Sequence, residues 1–184
     1  MIGQPQQRHV MTLVALLLLL VLPGCLLVRT SEHIITLKSD GSGHGIIHLI
    51  DIRSDARADS LVRRDFDEMM KAYGATKVNE FEQYGRRITA KHLHVRGDTL
   101  MAEITYTFSF LDAIDGLRAT KDEIMLVFGS GREVVRSNGK ASRTENDGTR
   151  ITWKRDAERL VYEVRERELP QSTSLAFLYR KYMH

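Results

Sequence analysis

From Thr99 to Phe110 the chain alternates without a break. Leu100, Ala102, Ile104, Tyr106, Phe108 and Phe110 fall on one parity, and Met101, Glu103, Thr105, Thr107 and Ser109 on the other. A period of two places the whole apolar set on one face of an extended strand. A slip of one residue would turn that set to water. Such a strand commits the chain to a sheet with one packed face and one wet face. Arg86 to Val95 precedes it across Arg96-Gly97-Asp98, and the two segments read as a hairpin.

Further strand signals surround this pair. His33 to Lys38 and Gly45 to Ile52 flank the turn Asp40-Gly41-Ser42-Gly43 and predict a hairpin. Ile124 to Phe128 leads into a meander marked by Gly129-Ser130-Gly131, Asn138-Gly139 and Asp147-Gly148, which predict hairpin turns. Trp153 and the segment Leu160 to Val164 complete the run. One helix is expected over about 54–73, with Ser54 as its cap, Asp55 and Asp59 in its early turns and Gly74 ending it. Ala58, Leu61, Val62, Phe66, Met69, Met70 and Tyr73 share one face at helical spacing. Asp59 with Arg63, and Asp67 with Lys71, are spaced to pair on the opposite face. Leu111 to Leu117 reads as a short helical turn. After Pro170, the spacing of Leu175, Leu178, Tyr179 and Tyr182 predicts a short C-terminal helix. The expected fold class is α+β: a curved, mostly antiparallel sheet of short strands and hairpins, one long amphipathic helix and a short last helix.

The first residues read differently. Met1 to His9 carries one fixed charge, Arg8, and Val10 to Leu22 is apolar except for Thr12. That run spans roughly 20 Å as a helix, short of the roughly 30 Å hydrocarbon core. It suits an export signal. Leu22-Pro23-Gly24-Cys25 follows, an aliphatic residue and a small residue in the required order before the chain's single cysteine. This motif resembles the lipobox of bacterial lipoproteins, although Pro23 departs from the small or β-branched residue usual at its position. The resemblance implies diacylglyceryl transfer to the Cys25 sulfur, cleavage before Cys25 by the lipoprotein signal peptidase, and acylation of the new amine. It implies no other cofactor. Under the enteric rule for diderm bacteria, Leu26 in place of an Asp implies the outer membrane, facing the periplasm. In a monoderm the address would be the outer face of the cell membrane. The order of hairpin and helix is also similar to small envelope lipoproteins that open with a glycine turn and one helix.

The expected division is residues 1–24 as signal peptide, 25–31 as lipidated N-terminus and short tether, and 32–184 as one α+β domain. With Cys25 acylated, no disulfide within the chain is possible. The 27 basic and 24 acidic residues nearly balance and are mixed along the chain. That balance, and the absence of basic stripes interleaved with aromatics, argue against a nucleic-acid partner.

Histidines are the main candidates for chemistry. His92 and His94 lie two apart on an expected strand, and His44 and His48 four apart on the first hairpin, with His33 nearby. Neutral imidazoles gathered by strand pairing can hold zinc or copper, so His44, His48, His92 and His94 form a candidate metal set. No HExxH or CxxC motif supports them. Lys38 to Leu49 mimics the centre of a calcium loop, but Lys38 and Leu49 stand where oxygen ligands belong. Gly41-Ser42-Gly43-His44-Gly45 leads into a strand rather than a helix, unlike phosphate-cradling loops. No GxSxG elbow supports Ser60 or Ser130 as a nucleophile. Asp112 and Asp115 are spaced to pair as acid and base, but turn capping also explains them. Arg96-Gly97-Asp98 is accounted for by its turn glycine. Tyr179 to His184 mixes aromatics with cations, a composition compatible either with an anionic lipid interface or with a packed helix. These observations lead to the expectation of a non-catalytic, membrane-anchored module that binds a lipid or protein of the envelope. The alternative is a metal-binding protein or metal-dependent enzyme.

Overall fold

The structure, a computed structural model, describes residues 26–75, 85–114 and 116–183. Residues 1–25, on which the expected export signal and Cys25 fall, and Asp115 and His184 lie outside these residues. The predicted alternation is realised in β4 (Thr99–Phe108), which buries Leu100, Ala102, Tyr106 and Phe108 and leaves Glu103 and Thr107 exposed, whereas Phe110, expected on the packed side, lies past the strand end and is exposed. Its neighbours are β3 (Arg86–Arg96) across the Gly97 turn and β2 (Gly43–Ser54) on the other side. Next to β2 runs β1 (Leu26–Leu37), then β10 (Arg159–Glu166), then β7 (Arg132–Ser137). All of these pairs are antiparallel. A two-residue strand, β11 (Thr173–Ser174), adds to the end of β2. A second sheet holds β5 (Leu117–Ala119), β6 (Glu123–Phe128), β9 (Thr149–Lys154) and β8 (Lys140–Arg143), in that order. Leu111–Ala113 forms a single 3-10 turn.

Residues 26–31, expected as a tether, are the first half of β1. Leu26 is already opposite Ser54, and Ser31 is opposite Leu49. Val28, Thr30 and Ile35 are β-prone, and the segment has β2 and β10 to pair with, so the chain enters the fold at once.

The helix is also shorter than expected. Helix α1 (Asp59–Gly74) has 16 residues and starts five residues after Ser54. Ser54 is the fully buried last residue of β2. Its hydroxyl donates to Asp65 Oδ2 at 2.5 Å and accepts from the Ala56 N–H. The serine therefore ties the strand end to the second turn of the helix instead of capping it. Ala58 is the N-cap residue and makes no side-chain bond. At the other end, Lys91 Nζ reaches the carbonyls of Ala72 and Ala75 at 2.7 and 2.6 Å. A cation there meets both the orphan carbonyls and the negative end of the dipole. Across the solvated face, Arg63 pairs with Asp67. The last helix, α2 (Ala176–Met183), is the short one expected.

Two cores lie side by side on one face of the seven-stranded sheet. Near the β1–β2 turn, Ile35, Tyr106, Phe108 and Tyr162 meet Ile124, Leu126, Ile151 and Trp153 of the second sheet. Toward the other end, Leu93, Leu100 and Ala102 meet Val62, Phe66 and Met69 of α1, with Leu175 and Tyr179 around α2. Gly43 and Gly45 lie in β2 opposite Phe108 and Tyr106. A Cβ on Gly45 would come within 2.3 Å of the Tyr106 ring. These glycines seat aromatic side chains in the sheet; they do not form an anion-binding loop.

Gly129-Ser130-Gly131 leads from β6 in the small sheet to β7 in the large one and so closes no hairpin, and neither does Asn138-Gly139. It carries the chain from β7 in the large sheet to β8 in the small one. Asn138 Oδ1 accepts from Trp153 Nε1 at 2.7 Å and from the Val161 N–H at 2.8 Å, while Nδ2 donates to the Arg159 carbonyl. One side chain thus fastens both sheets at the corner. Asp147-Gly148 is a true hairpin turn between β8 and β9, with Asp147 at φ 55.

Candidate functional site

The other face of the seven-stranded sheet carries the candidate site. Residues in register share a face, so the strand pairings define rows across it. One row runs Arg136, Glu163, Glu32, His48, Glu103 and His92 over β7, β10, β1, β2, β4 and β3. The next row, toward the β1–β2 turn, is Val161, Ile34, Ile46, Thr105 and Ala90; on the other side stand Arg165, Thr30, Ile50, Met101 and His94. Ile34, Ile46, Ile50, Met101 and Val161 are half-buried and belong to neither core. A charged row is thus bordered by partly exposed apolar side chains.

The charged row is connected. His48 Nδ1 lies 2.8 Å from Glu32 Oε2, and His48 Nε2 lies 3.3 Å from Glu103 Oε2. Neutral imidazole has one N–H to donate, whereas the imidazolium has two. A proton on His48 therefore satisfies both carboxylates together. Glu32 and Glu163 stand directly opposite each other, where like charges repel. Arg136 spans them, donating to Glu163 at 2.7 Å and to Glu32. The Glu163 hydrogen bond, with the charge of Glu32, raises the Arg136 pKa above its ordinary value. The row can offer an imidazole, carboxylates and a guanidinium to a partner. It contains no nucleophile.

The histidines predicted as a metal set are only partly gathered. His48, His92 and His94 share the open face, and the His92 and His94 rings stack with centroids 5.4 Å apart. Strand β4 separates β2 from β3, which puts His48 about 10 Å from His92 across the sheet. His44 is on the same face but exposed and two rows away, about 13 Å along β2 from His48. His33 projects to the opposite face, stacked on Tyr162 at 4.6 Å and bonded to Ser31 Oγ at 3.2 Å. Burial there pushes its pKa down to about 4, with the Arg132 charge adding to the shift and that of Glu32 opposing it. Among the described residues, no group of three or more His, Cys, Asp or Glu is placed to hold a metal ion.

A cleft of about 960 Å³ opens at the β1–β2 turn end, between Lys38–Gly41, Phe110–Asp112 and Lys154–Glu158. Asp40 accepts from both the hydroxyl and the N–H of Ser42, and these bonds hold its pKa below the usual carboxylate range. Asp112 lines the cleft; its expected partner Asp115 is outside the described residues. With Lys38, Asp122, Arg155 and Asp156 around it, the cleft is charged. Small-molecule sites are mostly apolar with few polar groups, so the open sheet face is the stronger candidate.

Glu32, Glu163 and Arg136 were not legible as site residues. Glu32 precedes the strand expected from His33, and its pairing with Glu163 and Arg136 depends on strands more than 100 residues away. Glu103 was legible, since the β4 alternation placed it on the wet face. Compared with known proteins, the chain matches no family model, no curated protein and no solved structure.

Proposed function

We propose that this chain is an envelope lipoprotein, anchored through Cys25, that acts as a non-catalytic binding module for another envelope protein. The observation that carries the reading is the position of Leu22-Pro23-Gly24-Cys25, which is followed directly by Leu26, a residue already in strand β1. A lipid on Cys25 would leave no stalk, and the domain would rest against the bilayer. Leu26 favours the outer membrane of a diderm cell. The binding surface in this reading is the open sheet face. Its connected row from Arg136 to Glu103 supplies charge complementarity, and the flanking Ile46, Ile50 and Met101 supply apolar area. Interfaces of this composition combine apolar burial with polar pairs that fix orientation.

The test places a photo-crosslinking residue at Ile46 in cells, with a second probe at exposed Lys121 on the β5–β6 turn. The expected result is one discrete adduct from Ile46, weakened by Glu103→Gln and absent from Lys121. Equal, diffuse labelling from both positions would contradict the binding surface. The anchor is tested separately by Cys25→Ser, which should release the protein from the membrane fraction. Retention of that variant in the membrane would contradict anchoring.

A further inference from the structure

Helix α2 has an outward face that the fold does not use. Its inner side is spent on packing: Ala176 and Tyr179 are buried, and the Tyr179 hydroxyl donates to the Leu93 carbonyl at 2.9 Å. Phe177 and Lys181, four apart, share the opposite side, and the Phe177 side chain is 68% exposed. The helix carries two cations and no acid. Arg180 is held by Asp98 and the Gly97 carbonyl at the β3–β4 turn, which pins the helix across the strand ends with Lys181 turned outward.

This helix stands at the end of the sheet where the chain outside the described residues joins. Ser54 is opposite Leu26 on one side and Thr173 on the other. Leu26 and Thr173 are therefore about two strand spacings, or 10 Å, apart, and α2 begins three residues after Thr173. Exposed Arg57 and Arg96 lie at this same end, on the segment after β2 and the last residue of β3. An exposed aromatic ring with cations beside it suits the boundary between anionic headgroups and acyl chains.

We infer that α2 is a second membrane contact, seating Phe177 at the acyl boundary of an anionic phospholipid surface with Lys181 among the headgroups. The inference rests on the Cys25 anchor proposed above, which brings this end of the domain to lipid. The two or more acyl chains on Cys25 would hold the chain to lipid by themselves, and the contact through α2 would fix its orientation. The open sheet face, whose strands run up from this end, would stand roughly upright from the bilayer and stay free.

The full chain carrying Phe177→Cys is purified with its anchor, labelled with a nitroxide and reconstituted in phosphatidylglycerol or phosphatidylcholine vesicles. Acylated Cys25 has no free thiol, so a single label is expected, at position 177. The expected result is a several-fold rise in oxygen accessibility over a water-soluble relaxant in phosphatidylglycerol, reduced by Lys181→Glu and in phosphatidylcholine. An acylated, vesicle-bound chain whose label stays water-accessible in both would overturn the helix contact alone. Equal protection in both lipids would overturn the role of anionic headgroups. Protection that appears only when another envelope protein is added would assign the face to that protein, against this proposal. Failure of the anchor would be distinguishable as a second labelled thiol at Cys25, and it would overturn both readings.

Discussion

His33 and Asn138 show how single side chains set the limits of this fold. His33 is half-buried, stacked on Tyr162, and its pKa is lowered from 6.5 to about 4. In the unfolded chain it would take a proton near its ordinary value. Between those two values the unfolded state binds the proton and the folded state does not, so stability is lost as pH falls from about 6.5 toward 4. The loss amounts to at most about 3 kcal/mol. In His33→Gln, denaturant midpoints measured between pH 7 and 4 should fall less steeply than in the parent. An unchanged slope would assign the acid sensitivity elsewhere. Asn138 makes three hydrogen bonds at the corner between the sheets. Asn138→Ala should cost about 1–3 kcal/mol, read as a lower thermal midpoint with altered Trp153 fluorescence. The dipeptide Asn138-Gly139 was legible as a turn, but its use as a corner was not. That use depends on Trp153 and Val161, which meet it only in the folded state.

At the scale of elements, local pattern was informative where a face is buried and weaker at element ends. The β4 alternation is visible because one side of the strand is core and the other water. The start of α1 was misread because Ser54 is a good cap by type, and only the three-dimensional placement of Asp65 diverts its hydroxyl. The end of the helix at Gly74 was legible, but the cap there comes from Lys91 on β3, 16 residues away from Ala75. Burial lowers the Lys91 pKa, and the two carbonyls compensate its ammonium. Lys91→Met should remove this cap and cost about 1–2 kcal/mol, with amide exchange accelerating first in the last turn of α1. Uniform acceleration throughout the helix would argue against a local cap. Gly139→Ala tests the corner from the other side. Its Cβ would stand 2.7 Å from the Trp153 ring, and such overpacking costs about 1–3 kcal/mol.

The whole molecule joins elements that the sequence keeps far apart. Strand β10 pairs with β1, and β7 with β10, so the order β3-β4-β2-β1-β10-β7 sets the first strand of the described chain beside its last long strand within one sheet. The charged row exists only in that order, and for this reason most of the candidate site was hidden from local pattern. The proposed anchor motif is the reverse case: it consists of four adjacent residues and depends on nothing in the fold. In the structure β1 starts at Leu26, the residue that follows Cys25 in the sequence. A lipid on Cys25 would sit at that junction. Mass spectrometry of the N-terminal peptide from membrane-purified protein tests it most directly. The prediction is a peptide beginning at Cys25 and heavier by a diacylglyceryl group, with or without an N-acyl chain. A peptide that still carries residues 1–24, or one that begins elsewhere with an unmodified Cys25 thiol, would contradict it.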